Sequence, residues 1–350
     1  MDHSETPTPI PPSIAQPDSP PAIVYPQDGT PFPLPQELKM ATADLVVRKL
    51  FDVSWSKARD WIRQGRMQID GRVVADARHL VNGRMLSFKM DGPSAAKKIT
   101  GPLTEASIIA LEHDFVVINK PAGLLTDPFN PEDDPTALSA LRHVLAVKAR
   151  ARHRQNRSSA PPAPIQVVHR LDQDTSGLLV FALSTNGARA LGQQFREHTI
   201  HRVYWALVHG EPKEQKVENH LIDNRGDGVR GSWESLPPES RGRQPRGDLA
   251  ITHIKPIECF GHATLVECQI ETGRTHQVRI HLSELGNPII GDAVYIRNYT
   301  GARIAAPHQL LHSREIGFLH PKTAEELKWT CEPPAEFTSL LKKFRLAVKK

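Results

Sequence analysis

A short polar loop in the middle of the chain carries a side chain that could act as a catalyst. Residues 169–182 have the sequence HRLDQDTSGLLVFA, which places Asp172 and Thr175 just before an apolar run that predicts a strand over residues 178–182. A carboxylate in a loop held against a sheet is in a usual position for a catalytic group. Turn formation alone could also explain an aspartate followed by Ser-Gly. The loop therefore offers Asp172 as a candidate catalyst and leaves its reaction open.

A second polar stretch, ETGRTHQVRIHL at residues 271–282, supplies positive charge. It predicts a turn, after which Thr275 would cap a helix over residues 277–282. Three basic side chains lie near the start of this helix: Arg274, His276 and Arg279. A buried carboxylate needs a fixed cation, and arginine is suitable because it stays charged and binds bidentately. We therefore expect Arg274 to be the partner of Asp172.

The segments around these two stretches predict a mixed α+β domain over residues 105–350. Short strand-like runs are frequent, for example residues 108–111 and 115–118, and helices are few, for example residues 188–196. Strands and helices do not alternate regularly, so a doubly wound parallel sheet is not indicated. Two segments of biased composition are predicted to be surface insertions: residues 148–164 and 225–247.

A smaller α+β unit is predicted over residues 41–92. Hydrophobic spacing predicts one helix over residues 43–51 and another that starts near Ser56, with an apolar side and a basic side. Asp70-Gly71 between two short strand-like runs is a strong hairpin signal. Residues 93–104 are predicted to link this unit to the larger domain.

The distribution of charge favours a polyanionic partner. Residues 1–37 hold eleven prolines, five acidic residues and no Lys or Arg, which predicts a disordered tail. The other residues carry all 44 Lys and Arg but only 34 of the 39 Asp and Glu, so the folded part has a net charge of about +10. A basic surface that binds no nucleic acid remains an alternative on charge alone.

Cysteine and hydropathy patterns indicate the expected compartment. The three cysteines are odd in number and lack C-x-x-C spacing, so neither a disulfide framework nor a zinc knuckle is predicted. No run approaches the roughly 18 apolar residues of a membrane span, and the N-terminus lacks the features of a signal peptide. Histidine pairs such as His198 and His201 have no third ligand at a recognised spacing. We expect a cytoplasmic monomer that holds no metal and contacts no membrane.

The loop that contains Asp172 closely resembles a family signature. HRLDQDTSGLLVFA matches the signature of the A-type family of RNA pseudouridine synthases, which is named for the large ribosomal subunit. Four further blocks resemble this family in the same order: residues 116–125, 201–210, 273–292 and 311–327. The resemblance extends from residue 108 to the C-terminus, and residues 54–88 separately resemble the S4-type RNA-binding domain.

The family resemblance implies a cofactor-independent isomerase that converts uridine to pseudouridine in structured RNA. It implies a mixed, mainly antiparallel sheet and three catalytic positions: Asp172, its partner Arg274, and Tyr204 against the flipped uracil. Further substrate contacts are expected at His169, Arg170, Thr175, Arg202, His276 and Gln277. The S4-like unit is expected to bind RNA through Lys57, Arg59, Arg63 and Arg66. An added S4-type domain favours 23S ribosomal RNA over transfer RNA as the substrate.

Several alternatives remain open. Asp172 could attack the anomeric carbon, add to the uracil ring, or remove a ribose proton. A noncatalytic RNA-binding or ribosome-assembly factor is the main alternative function, which the loss of Asp172 or Arg274 would favour; both are present. A glycoside hydrolase with Asp172 and Asp174 as its carboxylate pair is disfavoured, because neighbours in one loop do not flank a sugar and only 6% of residues are aromatic.

Overall fold

A computed structural model describes nine ranges of the chain: residues 25–26, 28–63, 65–74, 77–89, 103–128, 135–153, 164–225, 229–241 and 244–348. The chain divides into two compact units, Met1–Ala96 and Lys97–Lys350. None of the helices within the nine ranges combines the length and the apolar character that a bilayer span requires.

The first unit combines two helices with a small sheet. Its elements are β1 (Phe32–Pro33), α1 (Ala43–Phe51), α2 (Trp55–Arg63), β2 (Met67–Ile69), β3 (Arg72–Val74) and β4 (Met85–Phe88). The strands are antiparallel in the order β1-β4-β2-β3. The predicted helix over residues 43–51 forms with the same bounds, and the predicted hairpin turns at Asp70-Gly71, where both residues have positive φ.

The core of the first unit explains both its helices and an error in the predicted tail. Ala58, Trp61 and Ile62 are buried on one side of α2, as their helical spacing predicts. Phe32 and Leu34 are buried in the same cluster, and β1 pairs with β4. The folded unit therefore begins before residue 37, because apolar residues two apart among the prolines can form an edge strand. The rest of the predicted tail, residues 1–24 and 27, lies outside the described residues, as do residues 90–102 of the linker region.

The second unit is built on one large, mainly antiparallel sheet. Its elements are β5 (Ile108–Leu111), β6 (Phe115–Lys120), α3 (Ala137–His153), β7 (Gln166–Val167), β8 (Ser176–Ala182), α4 (Thr185–Arg196), β9 (His201–His209), β10 (Gln215–Ile222), β11 (Gly231–Ser232), β12 (Asp248–Cys259), β13 (Ala263–Ile270), α5 (Gln277–Glu284), β14 (Leu311–Leu319), β15 (Glu326–Thr330) and α6 (Ala335–Val348). Along the sheet the order is β11-β10-β12-β13-β9-β14-β8-β6-β5, with β15 beside β14 and β7 beside β8. The predicted α+β class is confirmed.

The centre of this sheet is covered on both faces. Every residue of β8 is buried. Leu179 and Phe181 belong to one core cluster, and Leu178 and Val180 belong to another. Since successive side chains of a strand point to opposite faces, β8 is a fully buried central strand. It holds the loop of Asp172 against a rigid support.

The two predicted insertions are partly regular structure. Residues 148–153 continue α3, where the Lys148 ammonium donates to Glu105 at 2.5 Å, and residues 154–163 lie outside the described residues. Within residues 225–247, β11 pairs with β10 and is followed by two short 3₁₀ turns. Residues 226–228 and 242–243 lie outside the described residues.

The parallel contact between β8 and β14 requires glycine at position 177. Gly177 has φ of +108°, and a Cβ there would lie 2.3 Å from the backbone oxygen of Ser313. We predict that Gly177→Ala lowers the free energy of unfolding by roughly 2–5 kcal/mol, through left-handed strain and overpacking together. Urea denaturation measures this change. Gly261→Ala is the matched control, since Gly261 also has positive φ but has no atom within 4 Å of its Cβ position. Equal losses in the two variants would contradict the steric part of this explanation.

Candidate active site

The loop before β8 holds Asp172 at a fixed position. Leu171 is buried, and its backbone N–H donates to Thr126 Oγ1 at 3.1 Å while its carbonyl accepts from the same hydroxyl at 2.9 Å. The Thr175 N–H donates to the Asp172 carbonyl at 3.1 Å. The Asp172 side chain is 21% exposed. The Asp172 side chain is therefore partly accessible to solvent, while hydrogen bonds hold the backbone on both sides of it.

Arg279 on α5 binds two carboxylates at once. Its Nη1 donates to Asp172 Oδ2 at 3.0 Å. Its Nε and Nη2 donate to the two oxygens of Asp292, at 2.7 and 3.1 Å. The Asp292 Oδ1 atom also accepts the backbone N–H groups of Val294 and Tyr295. Because Asp292 is buried and fixed, it holds the guanidinium in the orientation that points Nη1 at Asp172.

The expected partner of Asp172, Arg274, binds elsewhere. Its Nε donates to the Leu249 carbonyl at 3.1 Å, and its Nη1 lies 3.8 Å from Asp248. The predicted cap at Thr275 is also wrong, since α5 starts after His276, which has φ of +59° and makes no side-chain cap. This left-handed residue turns the chain between the two arginines, so Arg279 rather than Arg274 meets Asp172.

The turn before α5 is stabilised from within by Gln277. The Gln277 Oε1 atom accepts from the Thr272 hydroxyl at 2.8 Å and from the Arg274 N–H at 3.0 Å. Its Nε2 donates to the Ile251 carbonyl and to Thr252 Oγ1. All polar atoms of this buried side chain are thus used inside the protein. The expected role of Gln277 as a substrate contact is not supported by this geometry.

His276 and two tyrosines lie close to the Asp172 carboxylate or to its partner. The His276 Nε2 atom is 3.9 Å from Asp172 Oδ1, and its Nδ1 is 2.8 Å from the Tyr295 hydroxyl. Burial lowers the pKa of His276 to about 4, although Asp172 opposes the shift. Burial raises the pKa of Tyr204 and of Tyr295. At neutral pH the imidazole is therefore uncharged and both phenols are protonated.

Arg279 keeps Asp172 ionised. Burial alone would raise the pKa of this carboxyl, but His276, Arg279 and Lys120 together hold it below its usual value. Since His276 is neutral near pH 7, the lasting positive charge beside the carboxylate is that of Arg279. Asp172 is thus an anion at neutral pH, with a side chain that is partly exposed.

Lys120, at the end of β6, is a buried charge that the sequence analysis missed. Its Nζ donates to three carbonyls, those of Pro121 at 3.1 Å, Leu124 at 2.8 Å and Gln173 at 2.9 Å. Burial lowers the pKa of this ammonium to about 7, although Asp174 and Asp172 oppose the shift. It ties the Asp172 loop to the turn after β6. A lysine at the end of a mainly apolar strand was the available signal.

Three other predicted contacts are used to hold the protein together. The His169 Nε2 atom accepts the Val180 N–H at 3.0 Å, its ring stacks on Phe195, and burial lowers its pKa to about 3. Arg202 is buried, and its Nη2 donates to the Glu271 carbonyl at 2.9 Å. The buried Thr175 hydroxyl accepts from Gln309 at 2.9 Å. These side chains stabilise the surroundings of the site through contacts inside the protein.

Arg170 differs from these because it stays accessible. Its Nε lies 3.0 Å from Asp127 Oδ1, and its side chain is 47% exposed. Arg170 and His276, whose side chains are 47% and 30% exposed, are thus two predicted contacts that remain accessible to solvent. In the nine described ranges, no group of three or more His, Cys, Asp or Glu residues is placed to hold a metal ion.

Comparison with known proteins identifies the family. Residues 114–284 match the family model described as RNA pseudouridylate synthase. A protein of Nitrosomonas europaea named "Ribosomal large subunit pseudouridine synthase D" is 31% identical over 345 residues, which cover 95% of this chain and 92% of that protein. The chain belongs to the RNA pseudouridylate synthase family. It is an isomerase that forms pseudouridine in RNA, as the sequence analysis predicted.

Other relatives and a solved structure agree with this family. A Zymomonas mobilis protein with the same name is 34% identical over 241 residues, covering 67% of this chain and 71% of that protein. The solved structure of human RNA pseudouridylate synthase domain containing 4 aligns with a TM-score of 0.53 over 69% of this chain and 93% of that chain, at 24% identity. At this level of identity the solved structure supports the assignment of the fold and carries no argument about the substrate.

The first unit contains a second recognised domain, since residues 43–85 match the S4 domain model. Of its predicted RNA contacts, Lys57 is exposed, with its Nζ 5.8 Å from the centre of the Trp61 ring. The Arg59 Nε donates to Asp44 at 3.0 Å, yet 42% of its side chain is exposed. Arg66 is half-buried, and the side chain of Arg63 lies outside the described residues. Arg59 thus also has a structural partner, which its position in the sequence does not reveal.

We predict that Lys120→Met reduces the pH dependence of stability in this synthase. The pKa of Lys120 is about 7 in the folded protein and about 10.4 in an unfolded chain. Between these values the unfolded chain binds more protons, so the free energy of unfolding rises with pH. From pH 7 to pH 9 this group contributes a rise of about 2 kcal/mol, which Lys120→Met removes.

Denaturant titrations of wild type and variant at both pH values measure this difference. Lys148→Met is the control for loss of one ammonium, because Lys148 is partly exposed beside Glu105 and should leave the rise intact. An equal rise in wild type and Lys120→Met would show that Lys120 does not titrate in this range.

Proposed function

We propose that this synthase acts on 23S ribosomal RNA and uses Asp172 as its catalytic carboxylate. The observation that carries the proposal is the ion pair in which Arg279 holds a partly exposed Asp172 as an anion. A partly exposed anion with a fixed orientation can react with a nucleoside that enters from solvent.

The reaction is an isomerisation in which the oxidation state does not change. The bond between N1 of uracil and the anomeric carbon breaks, a bond from C5 to that carbon forms, and the proton on C5 is lost while N1 gains one. A base in folded RNA must first leave its stack to reach Asp172. Attack on the anomeric carbon, addition to the ring and removal of a ribose proton all require an unprotonated carboxylate. The lowered pKa of Asp172 supports each of them equally.

Tyr204 is proposed to pack against the flipped uracil. It lies on β9 opposite Ser313 and is buried, and Asp172 contributes to raising its pKa, which indicates that the two groups are close. Because burial keeps the phenol protonated at neutral pH, Tyr204 alone is a weak base for the C5 proton. Its proposed role is therefore contact with the ring, with proton removal dependent on a further acceptor.

Ribosomal RNA is proposed over transfer RNA on two grounds. Relatives that align along most of the chain carry the name ribosomal large subunit pseudouridine synthase D. The chain also has an S4 domain, and S4-type domains accompany synthases of ribosomal RNA more often than those of transfer RNA. The exposed side chains of Lys57 and Arg170 supply positive charge for the RNA backbone. Transfer RNA remains the alternative substrate.

We predict that Asp172→Asn abolishes tritium release from RNA labelled at C5 of uridine. Arg279→Gln should lower the rate by roughly 100-fold or more, since it leaves two carboxylates without their shared cation. Arg274→Gln should stay within about tenfold of wild type, because Arg274 pairs away from Asp172. Circular dichroism of each variant separates loss of catalysis from loss of fold. A larger effect at Arg274 than at Arg279 would contradict the assigned ion pair.

We also predict that deleting the gene removes one or more pseudouridines from 23S ribosomal RNA. Chemical mapping of pseudouridine in total RNA from wild type and deletion strains measures this loss. Complementation with the Asp172→Asn variant should not restore the sites, whereas wild type should. Loss confined to transfer RNA would overturn the ribosomal assignment and leave the chemistry in place.

A further inference from the structure

Residues 229–241 are held by hydrogen bonds to α5, the helix that carries Arg279. In β11, Ser232 donates from its N–H and its hydroxyl to the Glu284 carboxylate, at 2.8 and 2.6 Å. The Ser235 hydroxyl donates to the same carboxylate at 2.9 Å. Glu284 is the last residue of α5. Residues 229–241 therefore have a fixed position relative to Arg279, although their composition predicted an inserted loop.

The first residue of this segment packs next to the site. Val229 is buried in a cluster with Ile280 of α5 and with Tyr295. The Tyr295 hydroxyl bonds to His276, which is 3.9 Å from Asp172. Arg230 follows Val229 directly, so its backbone lies beside the cluster that contains Tyr295. In agreement with this position, the Arg230 charge adds to the effect of burial in lowering the pKa of His276.

The present partner of Arg230 is weakly held. Its Nη1 lies 2.5 Å from Asp223 Oδ1, and the two side chains are 38% and 85% exposed. An ion pair this exposed contributes little to stability. A backbone phosphate offers the planar guanidinium two anionic oxygens that can accept a bidentate pair of charge-assisted hydrogen bonds. Exchange of Asp223 for a phosphate is therefore favourable once RNA is present.

We propose that Arg230 binds a backbone phosphate of the RNA strand next to the flipped uridine. In the free protein Asp223 occupies the guanidinium and keeps it oriented, and the arriving phosphate displaces this carboxylate. Glu284 and Val229 supply the rigid support that a precise contact needs. The inference rests on the proposed function in that it needs RNA at Asp172, but it does not depend on which RNA that is.

The test compares Arg230→Gln, Arg230→Lys and Asp223→Asn with wild type on unmodified transcripts of 23S ribosomal RNA and of transfer RNA. Tritium release gives kcat and KM, and filter binding at several salt concentrations gives affinity and its salt slope. Arg345→Gln is the matched control, because Arg345 also forms an exposed ion pair, with Nε donating to Glu258 at 2.8 Å. Thermal denaturation verifies that each variant is folded.

We expect Arg230→Gln to raise KM on the order of tenfold with kcat nearly unchanged. Its salt slope should fall by about 0.7 to 0.9, the loss of one phosphate contact. Arg230→Lys should recover part of the affinity, and Asp223→Asn should tighten binding roughly twofold, since the competing carboxylate is gone. Arg345→Gln should leave the salt slope unchanged and KM within about twofold of wild type.

Equal, small effects of Arg230→Gln and Arg345→Gln would overturn the phosphate contact. Loss of stability in both Arg230→Gln and Asp223→Asn, without tighter binding in the latter, would show a purely structural ion pair and overturn it as well. Tritium release from transfer RNA alone would contradict the assignment to ribosomal RNA. The comparison of Arg230 variants on transfer RNA would still test the phosphate contact.

Discussion

The Arg279 guanidinium binds Asp292 through Nε and Nη2, which leaves Nη1 for Asp172. Separating a cation from two carboxylates in a buried environment is strongly unfavourable. The ion pairs with Asp172 and Asp292 therefore keep the Arg279 side chain in place. Asp292 is held in turn by the backbone N–H groups of Val294 and Tyr295. The orientation of the Asp172 carboxylate therefore depends on a chain of contacts that begins in the backbone after α5. A lysine at position 279 could pair with one carboxylate, but it lacks the planar group that binds both oxygens of Asp292 and also reaches Asp172.

The fold brings these groups together from three distant parts of the sequence. Asp172 precedes β8, whose side chains are buried on both faces of the sheet. Arg279 is on α5, which follows β13, and Asp292 follows α5. Lys120 joins the turn after β6 to the Asp172 loop through three carbonyls. The central strands thus act as the rigid base, and buried polar contacts rather than the loops themselves determine where the carboxylate lies.

Periodicity and signatures predicted the elements well and the ion pair poorly. The bounds of α1, the hairpin at Asp70-Gly71 and the mixed α+β class follow from local patterns that tertiary contacts did not override. Arg274 and Arg279 were equivalent in such patterns, because the distinction depends on the positive φ of His276, which no spacing rule indicates. The position of Phe32 in a strand was hidden by proline density, since strand pairing with β4 is a long-range contact. The family resemblance implied a substrate contact at His169, whereas its ring accepts the Val180 N–H and burial lowers its pKa to about 3.

The charge balance of the site explains why positive groups are needed around it. With His276 neutral and the phenols of Tyr204 and Tyr295 protonated, Asp172, Asp292 and Arg279 together carry one net negative charge, which Lys120, with a pKa of about 7, offsets only in part at neutral pH. The site around Asp172 therefore does not itself attract a polyanion, which must be drawn in by cations farther out. Exposed arginines farther out can do this while leaving Asp172 ionised, because a positive charge lowers the pKa of neighbouring groups, as Arg230 does for His276. In the proposed mechanism, the charges that attract RNA are therefore separate from Arg279, which orients the Asp172 carboxylate.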